Sequence, residues 1–232
     1  MIKVEYRAEY LVRCGVEYCS REIQRFIKQS LKIEKFDIQA QEIHLACDVQ
    51  GYRFNFLDKF RFKTRQTSSK IYDDQENELQ KNATYFKALN LGSIYYGQGD
   101  QLMRIYNKSV QIKTHYEASF IENVWRLNNN YDPNKDVWRI EFQIRRKRIK
   151  EFFSQYGTLT DSSNCIASIP DLWTYMIDFY GFKDVSRDNT IYIITGEKIK
   201  KDGTPKLLTK YAYRKILSRA DVHPLWSHIP LS

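Results

Sequence analysis

The chain has 232 residues, of which 37 are Lys or Arg and 28 are Asp or Glu, so its formal net charge is +9. This length can bury a substantial core, and the charge favours a polyanionic partner, either nucleic acid or an anionic membrane surface. No apolar run approaches the roughly 20 residues that cross a bilayer, and the N-terminus lacks the apolar core of a secretory signal. We therefore expect a cytoplasmic protein without a membrane partner.

Cysteines and aromatic residues give weaker indications. The cysteines show no CxxC pair and no zinc-site spacing, so we interpret them as reduced structural thiols: Cys14, Cys19, Cys47 and Cys165. The 17 Tyr, 13 Phe and 4 Trp are many for a core of this size. Exposed rings on a basic surface can stack unpaired bases, but for any one ring a place in a β-rich interior is favoured.

The N-terminal segment begins with short-period alternation over residues 3–13, which predicts a strand that ends at Gly15. Apolar residues at helical spacing then predict a helix over residues 17–31. The simplest interpretation of this region is therefore a strand followed by a helix.

A second alternating stretch covers residues 36–49 and places His44 and Asp48 on the polar side of a strand. The segment over residues 64–83 is polar and has almost no large apolar residues. We interpret it as an exposed, mobile loop.

The next segment has the pattern of a hairpin, with a strand that ends at Tyr96, a turn through Gly97 to Asp100 and a returning strand over residues 102–107. Residues 109–127 are predicted to be helical. The hairpin and the helix meet at the motif RIYNK, which carries the most reactive side chains of the chain.

Residues 136–146, DVWRIEFQIRR, alternate cleanly, so that Arg139 and Glu141 share one face of a strand and an apolar set occupies the other. The strand runs into the basic start of a helix, RRKRIKEFF. A further helix is predicted over residues 171–182, with Pro170 near its first turn.

The C-terminal region is basic and less regular. Its β-like run TIYIIT predicts a strand, and Asp202 with Gly203 predicts a turn. A last helix is predicted over residues 209–218.

Three predicted strands carry reactive side chains in small groups: Asp48 with His44, Tyr106 with Arg104 and Lys108, and Glu141 with Arg139. If these strands lie side by side, acidic groups face a tyrosine and several cations. This combination suits phosphodiester chemistry, because a phenol with an ordinary pKa of about 10 needs a charge or metal to act as a nucleophile. A divalent ion, Mg²⁺ or Mn²⁺, would polarise the phosphate, and Lys108 or an Arg would neutralise its oxygens.

Each of these residues also has a structural interpretation. A Tyr at the end of a hairpin is usually a packing residue, and a Glu such as Glu141 within a strand usually pairs with a cross-strand cation. His44 and Asp48 are about 13 Å apart along an extended strand, so one ion cannot bind both without a bulge. The predicted metal ligands are therefore Glu141 with either His44 or Asp48.

The motifs YYGQGDQLMRIYNK and VWRIEFQIRR resemble, in order, an R-I-Y-[ND]-K hairpin and a W-R-x-E strand. Both are typical of replication initiators from rolling-circle plasmids and of related relaxases from conjugative elements. The resemblance implies that Tyr106 is the nicking nucleophile and that Glu141 belongs to a metal-dependent active site. In IHLACDVQ, Asp48 matches the second acidic position of a D-L-A-F-D-like strand, whereas His44 stands where the family usually has Asp.

The function that this resemblance implies is a transesterification at a DNA origin. Tyr106 would attack the phosphorus of single-stranded or hairpin DNA, which gives a 5′-phosphotyrosine link and a free 3′-hydroxyl. A host helicase and a second copy of the chain are further candidate partners. Six basic residues are predicted to hold backbone phosphates, and a solvated charged surface is the alternative interpretation of them. They are Arg139, Arg145, Arg146, Lys147, Arg148 and Lys150.

The order of elements predicts an α+β fold, with a central antiparallel sheet, helices packed on one face and the other face open to DNA. Residues 1–160 are interpreted as the nicking domain and residues 161–232 as a basic helical extension, with packing on the same domain as one alternative. Two other functions stay open. One is a non-catalytic, sequence-specific DNA-binding protein or repressor with the same fold, and the other is an RNA-binding protein.

Overall fold

The computed structural model describes residues 2–73, 78, 91–114, 120–156, 161–227 and 229. Its main strands are β1 Glu42–Gln50, β3 Ser69–Asp73, β4 Leu91–Gln98, β5 Gln101–Asn107 and β6 Val137–Arg145, and the short strand β2 is Phe62–Lys63. The main strands form one sheet in the order β1-β6-β5-β4-β3, and each neighbouring pair is antiparallel. The predicted α+β fold with a central antiparallel sheet flanked by helices is confirmed, although the helices surround the sheet and are not confined to one face.

Helices surround this sheet: α1 Ala8–Cys14, α2 Val16–Gln29, α3 Lys108–Thr114, α4 Phe120–Trp125, α5 Arg146–Tyr156, α6 Ser162–Ala167, α7 Ile169–Phe179, α8 Arg187–Thr195, α9 Lys210–Arg219 and α10 Pro224–Ser227. A 3-10 helix covers Phe56–Arg61. Two small antiparallel ribbons complete the described elements: β2 with β7 Gly181–Phe182, and β8 Glu197–Ile199 with β9 Pro205–Leu207.

The main core lies on one face of the sheet because apolar residues alternate with polar ones along β1, β5 and β6. Ile105 and Phe142 on this face are fully buried, as is Phe152 on α5. The rings pack closely, and Phe142 stacks on Tyr180 with a centroid distance of 5.8 Å. Burying each such side chain contributes about 1.5–3 kcal/mol. The expectation that rings line the interior is confirmed for these residues.

The chain beyond residue 160 contributes to two clusters. Met176 on α7 and Trp226 on α10 belong to the same core as the sheet strands. Val185, Ile193 and Leu217 form a second, smaller cluster. Part of the predicted C-terminal extension therefore packs directly against the sheet.

The predicted strand over residues 3–13 is wrong, because Ala8–Cys14 is helical and no residue of α1 is buried. Alternating residues form a strand only where a neighbouring strand and a core accept them. Here a Glu9–Arg13 ion pair of 2.7 Å stabilises a helical turn instead. Gly15, at φ 79, ends α1 and precedes α2, which confirms the helix predicted over residues 17–31.

The predicted loop over residues 64–83 is wrong in part, because it contains β3. Ile71 pairs with Ile94 of β4 and is 2% exposed. As an edge strand with a polar outer face, β3 needs few apolar residues, which explains its loop-like composition. Residues 74–77 and 79–83 of this predicted loop lie outside the described residues.

The predicted strand TIYIIT is also wrong, because it lies in helix α8. Ser186 caps the start of the helix by accepting a hydrogen bond from the amide of Asn189. Gly196, in the left-handed conformation, ends it. These caps outweigh the strand preference of the β-branched residues, and Tyr192 and Ile193 are buried as part of helix α8.

The remaining predicted elements are confirmed with shifted ends. The hairpin is β4 and β5, the alternating strand is β6, and the basic helix start is α5. The helix over residues 171–182 is α7, which ends at Phe179, and the last helix is α9, capped by Thr209. The predicted helix over residues 109–127 corresponds to α3 and α4, and residues 115–119 between them are not described.

All four cysteines are free thiols, three of them buried and Cys14 exposed. Within the described residues, every helix is too short or too polar to cross a bilayer.

Candidate functional site on the polar face of the sheet

Three neighbouring strands bring the predicted site residues onto one face of the sheet. On β6, Glu141 pairs with Arg104 of β5. Two positions away, Arg139 lies between Tyr106 of β5 and Asp48 of β1. Because side chains alternate along each strand, these five residues share the face opposite the core. We call the surface that carries them the polar face.

Glu141 is the centre of the hydrogen-bond network on the polar face. Its Oε1 lies 3.0 Å from His44 Nδ1 and accepts a further hydrogen bond from Arg104, while its Oε2 accepts one from the Tyr106 hydroxyl at 3.0 Å. Burial raises the pKa of Glu141, but the His44 hydrogen bond and the Arg104 charge outweigh it and lower this pKa to about 2. Glu141 is therefore a carboxylate at neutral pH.

His44 links two carboxylates. Its second ring nitrogen, Nε2, lies 2.6 Å from Glu42 Oε1, and Arg145 Nε donates to the other Glu42 oxygen at 3.0 Å. The hydrogen bond to Glu141 raises the pKa of His44, burial opposes this, and Glu42 adds to the increase. An imidazole with a carboxylate at each nitrogen is best satisfied as a cation that donates from both.

Tyr106 is half-buried and its hydroxyl is protonated at neutral pH. Burial, followed by the negative charge of Glu141, raises the pKa of this phenol above its ordinary value, although Arg139 opposes the increase. To act as a nucleophile, Tyr106 must lose its proton to a neighbouring base or to a ligand-induced change in the site.

Lys108 is a cation of unusual acidity beside this tyrosine. It is 5% exposed, donates to Gln111 Oε1 at 2.6 Å and lies with Nζ 5.7 Å from the centre of the Tyr106 ring. Burial and then the charge of Arg139 lower the pKa of Lys108 to about 8. Its proton can therefore be exchanged near neutral pH.

Asp48 is paired with a cation on the polar face. Arg139 binds it with two hydrogen bonds, from Nε to Oδ1 and from Nη2 to Oδ2, each 2.6 Å long. Trp125 Nε1 on α4 also donates to Oδ2 at 2.8 Å. Both oxygens of Asp48 are thus used by neighbouring side chains.

The metal ligands predicted from the sequence differ in how they fit a metal ion. Glu141 and His44 are in contact, and a carboxylate oxygen with an imidazole nitrogen can share a divalent ion whose other ligands are water and phosphate. His44 would first have to give up the Nδ1 proton that faces Glu141, and Asp48 would have to release Arg139. No three His, Cys, Asp or Glu side chains converge in a metal-binding group within the part of the chain that the structure describes.

The predicted phosphate-binding run on β6 and α5 divides into two kinds of residue. Arg146 donates to Ala40 O at 3.1 Å and Arg148 pairs with Glu151, so these two arginines support local structure. Lys147, 3.7 Å from Asp100, has 70% of its side chain exposed. The open pocket of about 550 Å³ beside the run is lined by Gln41, Asp100, Arg145, Arg146, Lys147 and Lys150.

The polar face lines a large open groove with a volume of about 3520 Å³. Residues of α1 and α2 line the same groove, as does the segment that follows α4. The side chains of the site that line it are His44, Asp48, Tyr106, Lys108, Arg139 and Glu141. A long, flexible polymer could therefore lie along this face, where Lys108 and Glu141 are only 5% and 8% exposed.

Three contributors to the site were not predicted from the sequence. Glu42 could have been found, because it lies two residues before His44 and so faces the same side of β1. Gln111 and Trp125 lie on helices that turn towards the polar face, and no local pattern specified that orientation.

No protein-family model matches the chain. The chain is 28% identical over 123 residues to the Uncharacterized protein ORF430 of Pseudomonas phage Pf1. This similarity covers 47% of the chain but only 28% of the phage protein. The chain thus has a relative in a phage, and that relative is itself uncharacterized.

Proposed function

We propose that this protein nicks and rejoins single-stranded or hairpin DNA, with Tyr106 as the nucleophile. The observation that supports this most is the contact of 3.0 Å between the Tyr106 hydroxyl and Glu141, which lie in the groove with Lys108, while Arg104 also binds Glu141. A nucleophile, acidic oxygens and cations on an open groove are the groups that phosphoryl transfer requires. The net charge of +9 would attract the DNA.

In the proposed step, the Tyr106 oxygen bonds to phosphorus and the bond from phosphorus to the 3′ oxygen breaks. Lys108, whose Nζ lies 5.7 Å from the centre of the Tyr106 ring, would have to approach the hydroxyl to accept its proton. Its pKa of about 8 leaves roughly a tenth of it neutral at pH 7, whereas Glu141 with a pKa of about 2 is a weak base. The proton then passes to the leaving 3′ oxygen. The new 3′-hydroxyl can later attack the phosphotyrosine and rejoin the strand without ATP.

Arg104 and Arg139 would offset the negative charge that grows on the phosphate oxygens. Arg104 Nε is buried and has no hydrogen-bond partner among the described residues, which leaves one donor of this guanidinium unused. A divalent ion held by Glu141 and His44 would add charge neutralisation and polarise the phosphate. Asp48 would instead orient Arg139, since it binds that guanidinium through both oxygens.

The test is a search for a covalent protein–DNA adduct. The protein is incubated with a randomised pool of single-stranded DNA and Mg²⁺ or Mn²⁺, separated on a denaturing gel, and the attached DNA is sequenced. We expect an adduct with the wild type, loss of it with Tyr106→Phe, and loss of it when a chelator removes the metal. Adduct formation by the Tyr106→Phe variant would refute the proposed nucleophile.

Tyr95 provides a matched control for this experiment. It lies on the neighbouring strand β4 and pairs with Arg104 across the sheet, so it is on the same side of the sheet as the polar face. Its ring packs edge-on against Tyr72. Tyr95→Phe removes one phenol oxygen from the same surface, so we expect it to leave the adduct intact.

A second candidate is a non-catalytic DNA-binding protein or repressor with the same fold. The raised pKa of Tyr106 and the complete pairing of Asp48 favour it, because both also fit a network that only stabilises the sheet. The gel separates the two functions. DNA binding in a filter or anisotropy assay, without adduct for any sequence in the pool, would support the second candidate.

A further inference from the structure

An aromatic pair lies at the edge of the polar face. The rings of Trp125 and Tyr131 are half-buried, with centroids 5.8 Å apart and planes inclined by 41°. Trp125 donates to Asp48, which binds Arg139, the cross-strand neighbour of Tyr106. Two strand spacings, about 10 Å, separate β1 from β5, so the pair is within a few nucleotides of a phosphate at Tyr106.

The segment that carries Tyr131 is held in place by side chains of the sheet. The Gln50 amide donates to Asp132 O and to Lys135 O at 2.8 Å each, and its oxygen accepts from the Asp132 amide at 2.9 Å. Asn107 at the end of β5 donates to Asp136 at 3.0 Å. The loop between α4 and β6 is therefore fixed to two strands of the site.

Packing in the core does not account for this fixed loop. Leu127 is 82% exposed, and Asn128, Asn129 and Asn130 are exposed as well. Fixing a loop costs about 1–2 kcal/mol per residue in backbone entropy, so a loop that is hydrogen-bonded to the sheet but buries little of its surface points to a binding role. Its rings and amides are the groups that stack on bases and hydrogen-bond to their edges.

We infer that Trp125 and Tyr131 form a stacking site for an unpaired base of the DNA strand whose phosphate lies at Tyr106. This inference rests on the proposed function, because the DNA phosphate expected at Tyr106 is the reason to expect a DNA base at the ring pair. A DNA base is supported as the ligand because the ring pair and the polar face belong to one groove. Its lining includes Trp125, Tyr131, Tyr106 and Lys108. The surrounding cations bind phosphates of any sequence, whereas the ring pair requires a base.

The test compares two probes that carry the same phosphates. A labelled thymidine oligonucleotide and an abasic strand of equal length are bound to the full chain with Tyr106→Phe, so that no cleavage occurs, and affinities are measured by fluorescence anisotropy. We expect the thymidine strand to bind more tightly than the abasic strand. Adding Tyr131→Ala should weaken binding of the thymidine strand on the order of 10-fold and leave the abasic strand unchanged.

Two control variants address folding and general surface effects. Tyr131→Phe keeps the ring and should retain the preference for the thymidine strand. Tyr211→Ala removes a ring that is 73% exposed on α9 and should change neither affinity. Equal loss of affinity for both probes with Tyr131→Ala, or no loss for either, would overturn the stacking site.

Tryptophan fluorescence provides an independent measurement. Trp138, Trp173 and Trp226 are each at most 5% exposed, whereas Trp125 is half-buried. Thymidine strands should quench the emission of the wild type, and Trp125→Phe should abolish this quenching. These binding measurements do not depend on the covalent adduct. If no adduct forms but Tyr131→Ala still weakens binding of the thymidine strand, nicking alone is refuted. If an adduct forms but Tyr131→Ala has no such effect, the stacking site alone is refuted.

Discussion

At the level of single residues, the ionisation of Glu141 controls the polar face. Only 10% of its side chain is exposed, and its pKa is lowered from 4.5 to about 2. A carboxylate whose pKa falls on folding stabilises the protein above its unfolded pKa, and this stability is lost as the pH falls through the folded pKa. The shift corresponds to at most about 3 kcal/mol.

We therefore expect Glu141→Gln to be less stable than the wild type by up to about 3 kcal/mol at neutral pH. The difference should be largest between about pH 4.5 and the ordinary His pKa of 6.5. It should shrink as the pH falls towards 2, and also as the pH rises through the raised pKa of His44, because a neutral His44 stabilises the Glu141 carboxylate less. Urea unfolding across this range measures it. Glu122→Gln, which removes an exposed partner of Arg126, serves as the control and should change stability little. A difference for Glu141→Gln that did not vary with pH would contradict the assigned ionisation.

At the level of elements, strands with one buried face could be predicted, and elements that depend on distant partners could not. Period-2 alternation identified β6 and the face that carries Glu141, because a shift of one residue would bury the charge. The same pattern failed in α1, where no strand accepts it, and β-like composition failed in α8, where Ser186 and Gly196 cap a helix. Local propensity was overridden there by caps and packing.

The residues of the candidate site show the same limit: directions set by one strand could be predicted, and contacts that depend on distant partners could not. Tyr106 and Glu141 share a face because alternation fixes their direction on each strand, but the hairpin motif fixes only the pairing of β4 with β5, and the adjacency of β5 and β6 is seen only in the folded chain. The pairing of Asp48 with Arg139 depends on β1 lying beside β6, which no sequence pattern specified. Trp125 reaches the site from α4, a helix whose orientation only the folded chain defines.

The turn of the β4–β5 hairpin holds an element-level prediction. Gly97 has φ 84, and a Cβ there would lie 2.5 Å from Gln101 O, whereas Gly99 has φ 70 and open space around it. We expect Gly99→Ala to cost about 1–2 kcal/mol through backbone strain alone. Gly97→Ala should cost about 1–3 kcal/mol more, because backbone atoms must also move.

Thermal or urea unfolding of both glycine variants checks this order of stability. The two positions share the positive φ, so their difference isolates the close approach to Gln101. Equal losses for the two variants would show that the contact does not restrict the hairpin that carries Tyr106.

At the level of the whole molecule, the excess positive charge predicts how the proposed binding of DNA responds to salt. Lys147 and Lys150 are exposed beside the open pocket on α5. If each contacts one phosphate, Lys147→Gln with Lys150→Gln should reduce the slope of log affinity against log salt by about 1.4 for single strands.

Anisotropy titrations over a range of salt concentrations measure that slope. The control replaces two exposed lysines that do not line the groove, Lys28 and Lys35, by Gln. It removes the same total charge, so a similar change of slope in both double variants would assign the effect to net charge and not to contacts on α5.

The pairing of β1 with β6 also governs when the site can form during folding. His44 and Glu141 are 97 residues apart in the chain, and Asp48 and Arg139 are 91 apart, whereas β4 and β5 are joined by a tight turn. Such long-range contacts form slowly because the entropy of loop closure must be overcome first. The hairpin with Tyr106 can therefore appear early on the ribosome, while its acidic partners assemble only after β6 has emerged. The network around Tyr106 therefore cannot be complete in a nascent chain until synthesis has passed Arg145.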